Sequence, residues 1–445
     1  MKVTNILKGL CVAAIAVVVT FSCSVESGGE SNDVSEMKID EKYKEEAGNL
    51  AEHPQIQEAF DIILALEDRT LEDHIKITEI PAPPFMEDER AAAFRDMIAG
   101  AGVDDAFIDE EGNVIGVRKG TKGDRVLVLS AHMDTVFPEG TDVSVEMRGD
   151  TLFAPGVGDD SRGMAIVLTV LRAMNKAGIE TEDDVWFVGT VGEEGIGDLR
   201  GVKHLFREEG RQIDAFISVD GGGEDRIVNK ALGSIRYRPK FKGPGGHSWG
   251  AFGEVNPAHA LGRAIREFDG KAGEFVSGDI PRTSYNVGRI GGGTSVNSIP
   301  YEAWMEVDMR SVDNEYLGRI EEIFVSSMEK ALEEENQRIS SNGKLELDLE
   351  QIGNRPSGEI DPSTPLVQRS MAAITKFGFE PRLARSSTDS NVPISLGVPA
   401  VTIGRGSVGG GVHSLDEWWL NRDGHIAIQR TLLITVAEAG LAEKQ

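Results

Sequence analysis

At 445 residues the chain is long enough for two domains, each with a core of its own. Hydrophobic residues make up 40% and charged residues 27%, an ordinary balance for a globular protein, while a formal net charge of -28 argues against a polyanionic partner, so no nucleic acid is expected to bind. The two cysteines, Cys11 and Cys23, both fall within the first 23 residues, so no disulfide or thiolate site is expected in the folded part and any metal ligands must be His, Asp or Glu.

Residues 1–22 read as a targeting segment. Lys2 and Lys8 accompany the nearly unbroken apolar run Gly9–Phe21, which has the length of a signal-peptide core and is short for a spanning helix. The run ends at Thr20-Phe21-Ser22-Cys23, which resembles a bacterial lipoprotein cleavage site with Cys23 as the lipidated first residue. The expected location is therefore the cell envelope, with membrane attachment only through a lipid on Cys23. Thr20 stands where Leu is usual, and secretion after cleavage nearby is the alternative. Residues 23–39, rich in Ser, Gly and Glu, read as a tether.

From residue 40 to about Gly102 the pattern is helical. Ile56, Phe60, Ile63 and Leu64 share one helix face, and Pro81, Pro83 and Pro84 interrupt before a helix over Glu87–Ala99. The period then changes. Val126–Leu129, Val185–Val188 and Phe216–Val219 are short apolar runs bounded by polar or Gly-rich sequence, with a helix over Met164–Lys176 between the first two. Buried strands alternating with helices predict an α/β sheet.

Residues 234–353 have a different texture. Strand-like stretches at Ile235–Phe241, Ser284–Ile290 and Ala303–Met309 alternate with two helices. Asn256-Pro257 opens the first as N-cap and N1, and the second carries Leu317, Ile320, Phe324 and Met328 on one face. This predicts a small α+β unit inserted into a main domain formed by residues 40–233 and 354–445.

Acidic and histidine clusters sit where the buried runs end. His132 and Asp134 follow Val126–Leu129 and, two apart in an extended chain, project together, as suits a histidine ligand and a carboxylate that orients it. Asp159-Asp160 occupy a Gly-rich turn leading into a helix, where adjacent carboxylates repel unless a cation or base lies near. Glu193-Glu194 follow Val185–Val191, and such a pair can divide labour between metal binding and proton transfer. Asp220 follows Phe216–Val219, and His413 lies in a distant glycine-rich loop. Taken singly, His132 and Asp134 also fit a structural role, Asp159-Asp160 a solvated turn and His413 a surface loop. Together their oxygen and nitrogen donors suit two divalent cations about 3.5–4 Å apart.

In that order and context the motifs, running from about His74 to Trp419, resemble the M20 metallopeptidases: peptidase T-like, carboxypeptidase G-like and aminoacylase-like hydrolases. The resemblance implies a mixed-sheet zinc-exopeptidase-type α/β domain with an inserted ferredoxin-like lid that also dimerises. It implies two Zn2+, replaceable by Co2+ or Mn2+, with His132 and Asp220 on one, Glu194 and His413 on the other, and Asp159 bridging. Asp134 would be the partner of His132 and Glu193 the general base, with a cis peptide at Asp159-Asp160. In the lid, His247 of Gly243-Pro244-Gly245-Gly246-His247-Ser248 would stabilise the oxyanion. Asn297 and Arg310 would hold the substrate's carboxylate, a task suited to a guanidinium; a salt bridge within the lid is the other reading of Arg310. Ser161-Arg162 departs from the family, in which a lysine often follows the second acid directly.

The implied substrate is a short peptide with a free carboxylate, or alternatively an N-acyl amino acid cleaved at the same site. Two rivals come from other classes. Gly246-His247-Ser248-Trp249-Gly250 matches G-x-S-x-G, and with Asp389 and His413 it has the chain order of a serine triad, though Gly250, Gly253 and Pro257 delay the helix that an elbow needs. A solute-binding lipoprotein fits the tether and acidic surface but leaves Glu193 without a task.

Overall fold

A computed structural model describes residues 38–338 and 343–442. The expected targeting segment, Cys23 and all but the last two residues of the expected tether lie outside these. Among the described residues no helix is long and apolar enough to cross a membrane.

Four buried, β-branched-rich runs form the parallel centre of a nine-stranded sheet. They lie side by side in the order Asp184–Thr190, Val126–His132, Ala215–Val219 and Ala400–Ile403. Antiparallel edges complete it. A hairpin of Asp105–Ile108 and Val114–Arg118 flanks one side, and Arg226–Ala231 with Gly358–Glu359 flanks the other; Arg382–Ser386 pairs parallel to Arg226–Ala231. The sheet is thus mixed, as the resemblance implies.

The central strands are apolar on both faces because both are covered. Helix Ser161–Lys176 packs on Val126–His132 and is buried over most of its circumference. Helix Gly424–Ala439 packs with it and with Pro365–Lys376, Glu41–Glu52 and Pro54–Ala65, while Glu67–Thr78 packs on Ser161–Lys176, and their apolar residues join one continuous core.

Between Arg226–Ala231 and Gly358–Glu359 the chain builds a second, four-stranded sheet. Its elements run strand Gly233–Lys242, helix Pro257–Val276, strands Thr283–Gly292 and Glu302–Ser311, helix Asn314–Gln337 and strand Glu346–Arg355. Every pairing is antiparallel, and the spatial order by first appearance is second, third, first, fourth, which is the ferredoxin-like arrangement. One sheet face buries Phe241, Met305, Val307 and Met309 against Phe268 and Phe324 of the helices. The alternating residues Arg236, Arg238, Lys240 and Lys242 pair with Asp308, Glu306, Glu350 and Asp348 on neighbouring strands. Such alternation follows from the two-residue period of a strand with one apolar and one polar face.

A third, small sheet joins Glu146–Arg148, Thr151–Phe153, Trp418–Leu420 and Val408–Gly410. Its last two strands bracket the loop of His413, tying a distant piece of chain to the Asp159 turn.

Candidate metal centre

All four central strands run parallel, so their carboxyl ends open on the same edge, the place where open α/β sheets bind ligands. His132 is the last residue of its strand, Asp220 directly follows Val219, and Glu193-Glu194 stand just past Thr190. The Asp159-Asp160 turn caps helix Ser161–Lys176 beside them, and its peptide bond is cis. No side chain fits at Gly163, where a Cβ would collide with the Asp160 carboxylate and the Val219 carbonyl.

Three overlapping groups of donor atoms result: His132 with Glu193 and Glu194, His132 with Asp159 and Asp220, and Asp159 with Glu194 and His413. Asp159 is shared by its two oxygens. Oδ1 lies 3.0 Å from His132 Nε2, while Oδ2 lies 3.3 Å from His413 Nε2, which is also 2.8 Å from Glu194 Oε1. The donors are nitrogens and carboxylate oxygens, a set suited to zinc, cobalt or manganese.

Electrostatics point the same way. Burial disfavours a charge on His132, yet the carboxylates of Asp134, Asp159 and Asp160 hold it protonated well above the usual imidazole range. Hydrogen bonds to Asp159 and Glu194 push His413 up to about 10. Burial opposes ionisation of Asp159, but Arg405 and the two histidines keep its carboxyl well below the ordinary range. The carboxylates that surround both histidines thus favour positive charge in their midst.

Neighbouring residues fix the cluster. His132 Nδ1 is 3.0 Å from the Asp134 carbonyl and 3.7 Å from its carboxylate. The Asp134 carboxylate instead accepts the amides of Glu193 at 2.9 Å and Glu194 at 2.7 Å. Asp134 therefore holds the glutamate loop, and its backbone orients the histidine, a division that the spacing alone did not reveal. Glu417 accepts the amides of Gly156 at 2.8 Å and of Gly158 and Asp159 at 2.9 Å, which shapes the turn carrying Asp159.

Glu193 is buried beside Arg355, the last residue of the inserted unit's fourth strand. Arg355 Nη1 lies 3.3 Å from Glu193 Oε1, and Nη2 donates to the Glu193 carbonyl. Burial raises the Glu193 pKa well above its ordinary value, against the pull of Arg355 and with the push of Glu194, the direction a proton acceptor near neutral pH needs.

The remaining predicted residues lie in the inserted unit. His247 is exposed, and its Nδ1 accepts the amides of Trp249 at 3.2 Å and Gly250 at 3.3 Å. Its segment pairs with Ser298-Ile299, and the Asn297 carbonyl accepts the Ser248 amide at 2.9 Å, so His247 and Asn297 share one loop cluster. Arg310 Nε pairs with Asp308 at 2.8 Å, a salt bridge within the inserted unit of the kind that the sequence offered as the other reading of this residue. Contacts of Arg236 Nη1 with the Gly195 carbonyl at 2.9 Å and of the Asn354 amide with Asp198 at 2.8 Å join the unit to the glutamate loop.

A serine triad is not assembled. Asp389 is buried against Thr190 at 2.5 Å, His413 is taken by Glu194 and Asp159, and the helix after Ser248 begins only at Pro257.

Arg355, Arg405 and Glu417 escaped the sequence reading as contributors to the centre. Arg405 had a signal, as the one Lys, Arg, Asp or Glu between Val401 and Leu415 and close behind an apolar run.

Fold and site together define a metallohydrolase: a ligand-rich edge of a mixed α/β sheet interrupted by a ferredoxin-like unit. The model of peptidase family M20/M25/M40 matches residues 128–436, and the chain belongs to that family. It is 26% identical over 357 residues to the uncharacterized protein YqjE of Bacillus subtilis, covering 76% of this chain and 91% of that one. Carboxypeptidase G2 of a Pseudomonas species is 26% identical over 212 residues, 46% of this chain and 48% of its own length. The crystal structure of a tripeptidase from Staphylococcus aureus superposes with a TM-score of 0.66 at 22% identity, covering 84% of this chain and 99% of that one.

Proposed function

We propose that this enzyme hydrolyses a peptide bond in short peptides bearing a free carboxylate, using two zinc ions. The observation that carries the reading is the division of Asp159, one oxygen facing His132 and the other facing His413. His132 and Asp220 would hold one ion, Glu194 and His413 the other, with Asp159 between. When bound, such ions polarise the scissile carbonyl and acidify water.

The chain's own residues supply the rest. Glu193 takes the proton of the attacking water on its carboxylate and delivers it to the leaving amine nitrogen. Asp134 keeps Glu193 and Glu194 in place through their amides. His247 presents a ring N–H to the developing oxyanion once the inserted unit closes over the sheet edge. Asn297 and the terminal nitrogens of Arg310 receive the substrate's carboxylate.

An N-acyl amino acid offers the same pairing of amide and free carboxylate. A hydrolysis panel separates the two, with di- and tripeptides carrying free or blocked ends set against N-acyl amino acids. Preferential turnover of free-carboxylate peptides supports the proposal, and equal cleavage of blocked and free C-termini removes the carboxylate role of Arg310 and Asn297.

We further propose a lipid anchor at Cys23 in the cell envelope. Metabolic labelling with a palmitate analogue tests it: label should appear in the wild type and vanish in Cys23→Ala, and an unlabelled wild type contradicts it.

A further inference from the structure

Arg405 lies just past the parallel strand Ala400–Ile403, two residues beyond its end. The chain there is zipped to the Asp220 loop: the Asp220 amide donates to the Ile403 carbonyl at 2.9 Å and the Arg405 amide to the Gly221 carbonyl at 2.8 Å. Gly404 passes so close to the Gly223 carbonyl that no Cβ fits, which fixes where the next side chain departs. That side chain is buried, 5% exposed, and enters the carboxylate cluster.

Its Nη1 donates to the Gly158 carbonyl at 2.6 Å and to Asp159 Oδ1 at 2.9 Å, and lies 3.4 Å from Asp160 Oδ1 and 3.8 Å from Asp220 Oδ1. Asp159 Oδ1 is the oxygen that faces His132. The guanidinium therefore meets two of the three members of the His132–Asp159–Asp220 group, reaching Asp159 at Oδ1, whereas Oδ2 faces His413. An arginine does not lose its proton in a protein, so this charge is permanent. Repulsion between like charges is strongest in a buried site, where water screens least.

We propose that Arg405 is a resident cation of the His132–Asp159–Asp220 group and makes the two metal positions unequal. The Glu194–His413 position takes its ion tightly, and the His132–Asp220 position takes its ion weakly and exchanges it. The same charge keeps Asp159, Asp160 and Asp220 together before an ion arrives, so Arg405 acts as a positioning residue. This inference rests on the two-ion reading given above.

The test is zinc titration of the metal-stripped, full-length protein against a chromophoric chelator. The wild type should show two classes of site differing at least tenfold in Kd, the weaker lost in His132→Ala and the tighter in His413→Ala. Arg405→Met should tighten the weaker class at least tenfold, while Arg405→Lys, which keeps the charge, should leave it weak. A lysine variant that behaves like the methionine variant overturns the charge argument, since a purely structural arginine would give that result. Two equal classes in the wild type overturn the inference and leave the two-ion reading standing. A wild type that binds no zinc overturns both. The wild-type titration needs no variant, and it alone refutes the inequality if the two classes are equal.

Discussion

The two oxygens of Asp159 have different neighbours, His132 and Arg405 at Oδ1 and His413 at Oδ2. Glu193 differs from Glu194 in kind: it faces Arg355, whereas Glu194 faces His413. If Glu193 moves the proton and does not hold the ion, Glu193→Gln should lower kcat by about 10²–10⁴-fold while zinc content stays at the wild-type level. Loss of both together would make Glu193 a ligand, and full activity would remove it from the mechanism. Asp389 offers a stability test. Its buried carboxyl, with Oδ1 unpartnered, is pushed up to about 6 by burial, against the hydrogen bond from Thr190. Because its folded pKa exceeds the unfolded one, this carboxyl's own contribution to stability grows as pH falls from 7 towards 4 and is lost as pH rises through 6. Asp389→Asn should therefore be the more stable chain at pH 7.5, by on the order of 2 kcal/mol, with the advantage gone near pH 4. Urea unfolding of both apo chains at the two pH values measures it, and a constant difference would refute the assignment.

Elements decide which residues meet. His132, Asp220 and Glu193-Glu194 were legible because each follows a short apolar run of buried-strand length bounded by polar or Gly-rich sequence, and parallel strands deliver their ends to one edge. The inserted unit was legible in outline from the Asn256-Pro257 helix start and the face of Leu317, Ile320, Phe324 and Met328. Its fourth strand, Glu346–Arg355, was not, because its alternating charges carry a weak apolar signal. Arg355 was missed with it. Glu417 was invisible for another reason: its task is to bind three amides more than 250 residues away in sequence, a contact created by the small sheet. Asn256 caps its helix through the Ala258 amide at 2.9 Å and the His259 amide at 3.4 Å. Asn256→Ala should cost about 1 kcal/mol in chemical denaturation without changing zinc content. A cost near zero would mean that Pro257 alone sets the helix start.

At the scale of the whole molecule, an acidic chain brings two of its buried arginines to the centre: Arg405 and Arg355 stand among its carboxylates, and those carboxylates raise both histidines above the ordinary imidazole range. Composition gave the acidity but not the location of this charge balance, which arises only when strands from residues 126 to 403 share a sheet. The central claim, that hydrolysis belongs to ions held by this cluster, is tested most directly by chelation. Treating the purified enzyme with dipicolinate, measuring its zinc by mass spectrometry and then restoring zinc should abolish peptide hydrolysis and recover it in step with bound metal. A stripped chain that keeps its full rate would contradict the account.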